Sequence, residues 1–117
     1  MKRGEIWTVS GGKNYAGKPR PVVIIQDDRF DATDSITICA LTTDAIDAPL
    51  MRLLVTPNDR NGLRAISRLM VDKVTTVPES KLGRKLGSLD VADSIRLDRA
   101  IVVFLGLTLA HQTETAN

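Results

Sequence analysis

Val22-Val23-Ile24-Ile25 is the stretch that most limits what this chain can become. Four consecutive β-branched residues are stiff at χ1 and suit a pleated strand buried on both faces, or nearly so. Pro21 stands at the mouth of that strand. It has no N–H to give to a ladder, so it fits the first residues of a strand and not the middle. Arg20 lies between Pro19 and Pro21. The second proline biases it toward extended backbone, which sets a planar five-donor guanidinium on a stiff base. A cation held that way is suited to clamping a phosphate. The plainer reading is an exposed arginine beside a core strand.

Short strands are predicted around this one. Glu5-Ile6-Trp7-Thr8-Val9 alternates polar and apolar with Ile6 out of phase, and reads as a strand. Residues 10–18 form a loop by composition, long for a hairpin connection, and long loops in compact domains are often functional. The Arg20 strand is predicted to run to Asp27, followed by an acidic, turn-rich segment over 28–34. Residues 35–42 make a third strand and 50–56 a fourth. Asn61-Gly62 suits positive φ in the turn between 57 and 62. Residues 64–77 are rich in β-branched side chains and read as one long strand, straight or bent, stopped by Pro78. Residues 79–84 give at most one helical turn, and 85–87 a short strand. The last element is a helix: Asp90 is a good N-cap, Asp93 complements the dipole, and Gly106 is placed to end it. Leu97, Ile101, Phe104 and Leu105 form its apolar stripe. This is a mainly β chain with a C-terminal α-helix, a small barrel with a helix packed across it. Residues 1–107 are predicted to be a single domain and 108–117 a frayed tail.

The 117 residues suffice for one core and not two. No apolar run approaches a membrane span, and the opening Met-Lys-Arg-Gly-Glu has no apolar segment behind its basic pair, so neither membrane nor signal peptide is expected. Cys39 is the one cysteine and His111 the one histidine. No internal disulfide and no His/Cys zinc cage can be built within one chain, and a reducing cytoplasm is the expected setting. Net charge is only +2, but it is unevenly spread. Residues 1–20 carry five Lys/Arg against one Glu, and residues 58–88 carry seven against three acids. Between them, residues 27–47 set Arg29 against six Asp. Two basic blocks brought together in space would make a basic face, the electrostatic footprint of a polyanion site.

Several segments, in order, resemble the MazF/PemK/Kid toxins of toxin–antitoxin modules. They are Lys2-Arg3-Gly4-Glu5-Ile6-Trp7, then Arg20-Pro21-Val22-Val23-Ile24-Ile25, then Leu41-Thr42-Thr43, then Val71-Asp72-Lys73-Val74. The resemblance runs from about Lys2 to Leu107. It implies an SH3-like β-barrel of the PemK/Kid/CcdB kind. It also implies a homodimeric endoribonuclease that cuts single-stranded mRNA at short sequences, needs no metal or other cofactor, and is neutralised by a cognate antitoxin.

RNA carries its own nucleophile, the 2′-OH. A metal-free ribonuclease has to align that hydroxyl, move protons, and neutralise the phosphorane. Fixed donors aimed at developing charge often supply more of the rate enhancement than any other single effect. With one histidine, the chain has no imidazole pair for this work. The resemblance assigns a catalytic arginine to Arg20 and a catalytic threonine to Thr42, with Thr43 beside it. In PemK/Kid-like members an aspartate preceded by an arginine two residues back also acts. The aspartate matches Asp72, but Met70 stands where the arginine would be, and Arg68 lies two residues further back. Asp72 is either a catalytic carboxylate or a structural one paired with a nearby cation. Tyr15, in the Gly/Lys loop, is either a base-stacking platform or packs back on the barrel. Lys13, Lys18, Arg64 and Arg68 are the expected phosphate contacts. Trp7 is assigned to the core or a dimer interface, and Cys39 to the core as a small hydrophobe. The alternative is a non-catalytic, CcdB-like toxin that binds DNA gyrase, since one fold serves both activities. Arg20 and Thr42 match the nuclease branch, and the C-terminal residues offer no clear anchor for gyrase.

Overall fold

The computed structural model describes residues 1–10, 18–46, 48 and 50–108. Among the described residues seven strands precede one α-helix: β1 Glu5–Val9, β2 Arg20–Ile24, β3 Ser35–Thr42, β4 Arg52–Val55, β5 Ser67–Met70, β6 Thr75–Pro78, β7 Leu82–Ser88 and α1 Val91–Leu105. All pairings are antiparallel, in the order β4-β5-β3-β2-β1-β7, with β6 alongside β3. Strand β3 is the spine. One of its edges pairs with β2; the other pairs with β6 over Ser35 to Ile38 and with β5 at Leu41 and Thr42.

That division of β3 explains the main departure from the sequence reading. Residues 64–77 are two strands, not one. The chain leaves the far half of β3, turns through Val71–Lys73, and re-enters against the near half. Val71 is buried at the turn, so burial and not a glycine or proline fixes the break. The other departure is β7, seven residues long where only 85–87 were expected. It pairs with β1 through two register irregularities.

The β-branched run is buried on both sides as its composition demands. Val22 and Ile24 face one apolar cluster with Val9, Ile36, Ile38 and Ala40. Val23 faces the other, with Ile6, Cys39, Leu41, Val55, Leu69, Val71 and the helix residues Leu97 and Ala100. Each such side chain contributes roughly 1.5–3 kcal/mol relative to exposure. Trp7 is half-buried against the first cluster, its indole N–H donating to Glu5 Oε1 at 3.0 Å. The open ends of the sheet approach each other through the turn after β4. Ser88 N–H donates to the Arg60 carbonyl at 2.9 Å. Gly62, at φ +68°, has no room for a Cβ because the Leu86 carbonyl fills the space.

The helix ends as expected. Asp90 accepts from the Asp93 N–H at 2.9 Å, and Gly106 adopts φ 68° past the last turn. Its stripe is only partly used. Leu97 is buried and Ile101 half-buried, but Phe104 and Leu105 are exposed, because the last turn overhangs the sheet. Among the described residues no helix is long and apolar enough to cross a membrane. Of the expected tail, only Thr108 is described.

Candidate RNA-processing site

Register brings Arg20 to Thr42. The pairs Val22↔Ala40, Val23↔Cys39 and Ile24↔Ile38 fix β2 against β3, and the same register continued sets Arg20 opposite Thr42. Side chains alternate along a strand, so Arg20, Val22 and Ile24 share a face with Ile38, Ala40 and Thr42. Across the other edge of β3, Thr42 pairs with Arg68. The threonine therefore stands in a row between two arginines.

A pocket of about 430 Å³ opens at this corner, lined by Arg20, Ala40, Leu41, Thr42, Asp44, Met70 and Lys73. Its volume falls within the range of ligand-sized clefts, about 300–1,000 Å³. Thr42 is buried, and its Oγ1 accepts from the Asp44 N–H at 3.1 Å. That leaves the hydroxyl proton available for donation into the pocket.

A second hollow of about 630 Å³ lies at the same end of β2 and β3, lined by Thr8, Pro19, Pro21, Thr43, Gly62, Leu63, Arg64, Ser67, Gly83 and Arg84 among others. Pro21 follows Arg20 and Thr43 follows Thr42, so by alternation this hollow takes the neighbouring positions of the same segments on the opposite face of the strands. Gly83 lets β7 approach β1 here: a Cβ would run into Thr8 Oγ1, which accepts from the Arg84 N–H at 3.0 Å. Arg64 and Arg84 line this hollow and make no ion pair among the described residues.

The other sequence-predicted residues fall elsewhere. Asp72 follows β5 but lines a separate crevice with Val71, Val74, Ile101, Phe104 and Leu105. Arg52 grips it with both arms, Nε to Oδ1 at 2.7 Å and a terminal nitrogen to Oδ2 at 3.0 Å. The Arg52 hydrogen bonds hold the Asp72 carboxyl below its ordinary range, against the opposing effect of burial. Arg68 lines a smaller hollow with Arg52 and Arg96 on the β4 side. Lys18 is exposed just before β2. Lys13 and Tyr15 lie outside the described residues. Cys39 is fully buried, and burial pushes its thiol up to about 12, with the Asp72 charge adding to the effect. Sequence reasoning missed Asp44, Lys73 and Arg84. The two cations belong to the basic block over 58–88, but nothing local says which of its members face the pocket. Among the described residues no three His, Cys, Asp or Glu side chains cluster as metal ligands would.

A sheet wound around one spine strand and capped by one helix is a fold shared with solved toxin structures. Mycobacterium tuberculosis toxin MazF-mt6 superimposes with a TM-score of 0.75 at 24% identity, over 90% of this chain and 99% of that one. A mycobacterial endoribonuclease in complex with its cognate antitoxin gives the same score at 22% identity, covering 93% and 98%. The PemK-like, MazF-like toxin family of type II toxin–antitoxin systems matches residues 2–105, and the chain belongs to that family. A relative in Mycolicibacterium smegmatis, described as a probable endoribonuclease MazF, is 53% identical over 107 residues, 92% of this chain and 98% of its own.

Proposed function

We propose that this chain is an endoribonuclease toxin that cuts single-stranded RNA at short sequences, without a metal, at the corner where Arg20 meets Thr42. The observation that carries the reading is that register and side-chain alternation bring these two residues, far apart in sequence, into one pocket. The 53% identity to a relative described as an endoribonuclease supports the same activity. Arg20 stabilises the negative charge that builds on the phosphorane, and the Thr42 hydroxyl adds a donor. Arg64 and Arg84, with Thr43, carry the neighbouring backbone and bases through the larger hollow. Lys18 and Arg68 supply outlying positive charge, and Lys13 and Tyr15 contribute from the sequence before β2. Attack by the 2′-oxygen leaves a 2′,3′-cyclic phosphate and a 5′-hydroxyl.

The partners are RNA, a second copy of the chain, and a cognate antitoxin in the cytoplasm. An acidic antitoxin segment would compete for the same cations. The homodimer is supported by the overhanging turn of α1: Val103 and Phe104 face Ala48, Leu50 and Met51 across an apolar hollow of about 510 Å³. Leu50 is 78% exposed and Val103 68% exposed in the single chain.

The test is incubation of purified protein with long single-stranded RNA in excess EDTA, with Arg20→Ala alongside. Discrete EDTA-resistant fragments from the wild type alone are expected. No fragments from either protein on several RNAs would overturn the reading.

A further inference from the structure

Among the described residues, one acidic group, Asp44, lines the pocket at the β2–β3 corner, beside Arg20, Thr42 and Lys73. Two backbone features fix its place. Its N–H donates to Thr42 Oγ1 at 3.1 Å, and its carbonyl accepts from the Ile46 N–H at 3.1 Å. A threonine hydroxyl taking the N–H two residues on is a local turn device, and here it sets residue 44 at the lip of the pocket. The Asp44 side chain is exposed, and its carboxylate makes no hydrogen bond or ion pair among the described residues. Asp72 is the opposite case: both its oxygens are occupied by Arg52. A general base needs a lone pair open toward the substrate proton and within reach of it. Asp44 meets the first need, and its position beside Thr42 answers to the second.

We propose that Asp44 is the general base of the cleavage step, a reading that rests on the endoribonuclease activity proposed above. Its carboxylate takes the proton of the RNA 2′-OH. The 2′-oxygen then bonds to phosphorus, the bond from phosphorus to the 5′-oxygen breaks, and that oxygen leaves with a proton from water. Lys73 lines the same pocket and shares the charge of the phosphorane with Arg20. The charged groups around Asp44 are Arg20 on β2, Lys73 in the turn after β5, and Arg52 on β4, where the Asp44 charge contributes to holding the guanidinium proton.

The experiment uses a DNA oligonucleotide carrying one ribonucleotide at a mapped cut site, and its all-deoxy form as an uncleavable binding probe. Asp44→Asn should lower kcat by about 10²–10⁴-fold, the span of general-base catalysis. It should leave affinity for the all-deoxy probe unchanged or tighter, since a negative charge is removed from a polyanion site. The rise of kcat with pH on the acidic side should disappear, and Asp44→Glu should restore part of both rate and rise. An Asp44→Asn protein that cuts at the wild-type rate with the acidic rise intact would overturn the assignment while leaving the nuclease standing. A loss of rate matched by a loss of probe affinity would also overturn it. A wild type that cuts no RNA would remove the proposed function itself.

Discussion

Of the places in this molecule that set arginine against aspartate, two do opposite things with the pair. In the first, Arg52 and Asp72 form a closed bidentate bridge between β4 and the turn after β5, with the arginine side chain 8% and the aspartate 22% exposed. In the second, Arg20 and Asp44 line the walls of a ligand-sized pocket with Lys73 and Thr42. The bridge has satisfied its charges internally, so it holds β4, β5 and the turn together. Among the described residues Arg20, Lys73 and Asp44 stand around open space of ligand size, where a bound polyanion can meet their charges. Residue type does not distinguish the two places. What distinguishes them is whether the carboxylate oxygens are already taken.

The sharpest way to break this contrast is Arg20→Ala. Removing a fixed donor aimed at developing charge costs about 10²–10³ in kcat, and the thermal midpoint should stay near the wild type's. Cleavage of RNA measured alongside thermal unfolding checks both halves. A large loss of stability with the loss of rate would put Arg20 in the same class as Arg52.

Arg52→Ala should show the reverse weighting. It strands a half-buried carboxylate, and breaking a buried pair costs about 3–5 kcal/mol; the partial exposure of Asp72 brings the expected loss to about 2–3 kcal/mol by urea unfolding. Replacing both partners, as Arg52→Met with Asp72→Leu, should recover most of that loss. If the double variant is no better than the single one, the bridge is not where the energy lies.

The same contrast marks how far the sequence alone could be read. Strand β3 and both ends of α1 were legible because they obey local rules: alternation, an aspartate N-cap, a glycine past the last turn. Arg20 and Thr42 were legible as separate residues through their motifs, and their meeting follows once the β2–β3 register is known. The break at Val71–Lys73 was not legible, since β5 and β6 exist as separate strands only because both need an edge of β3. Strand β7 was not legible either. Its glycines and charges are poor strand formers, and it is held by β1 and by close backbone contact that only glycine permits. Asp44 was hidden in an acidic block and Lys73 in the misread strand, so neither could be placed in the pocket. Asp72 was seen, but its partner, twenty residues earlier, was not.

Acid should expose the bridge. The folded-state pKa of Asp72 is depressed, so its contribution is present above the unfolded carboxylate range and is lost as pH falls through the folded value. Glu5 behaves alike. Burial pushes its carboxyl up, but hydrogen bonds from the Lys2 N–H, the Trp7 indole and Lys85 outweigh this and bring it from 4.5 to about 2. Urea-unfolding free energy should therefore decline from about pH 4.5 toward pH 2 in the wild type. In the Arg52→Met, Asp72→Leu protein the shares of Glu5 and of Asp27, which is held down by the Arg29 hydrogen bonds, should remain, giving a shallower decline. Equal slopes in the two proteins would mean the bridge contributes no pH-dependent stability.

The smallest effect separates a neutralised arginine from one directed at RNA. Arg84 lines the larger hollow without an ion pair among the described residues, whereas Arg52 is closed on Asp72. Each phosphate contact on a single strand releases counterions and contributes about 0.7 to the slope of log affinity against log salt. Arg84→Ala should thus lower affinity for an uncleavable oligonucleotide a few-fold and reduce that slope by about 0.7, with unfolding unchanged. Arg52→Ala, measured in the cold where it remains folded, should leave the slope alone. A slope that falls equally in both would mean that RNA senses the net charge of the whole surface and that the bridge is no more closed to it than the pocket. A slope that falls only in Arg84→Ala would place the polyanion track along the hollow between Arg64 and β7, with the bridge standing outside it.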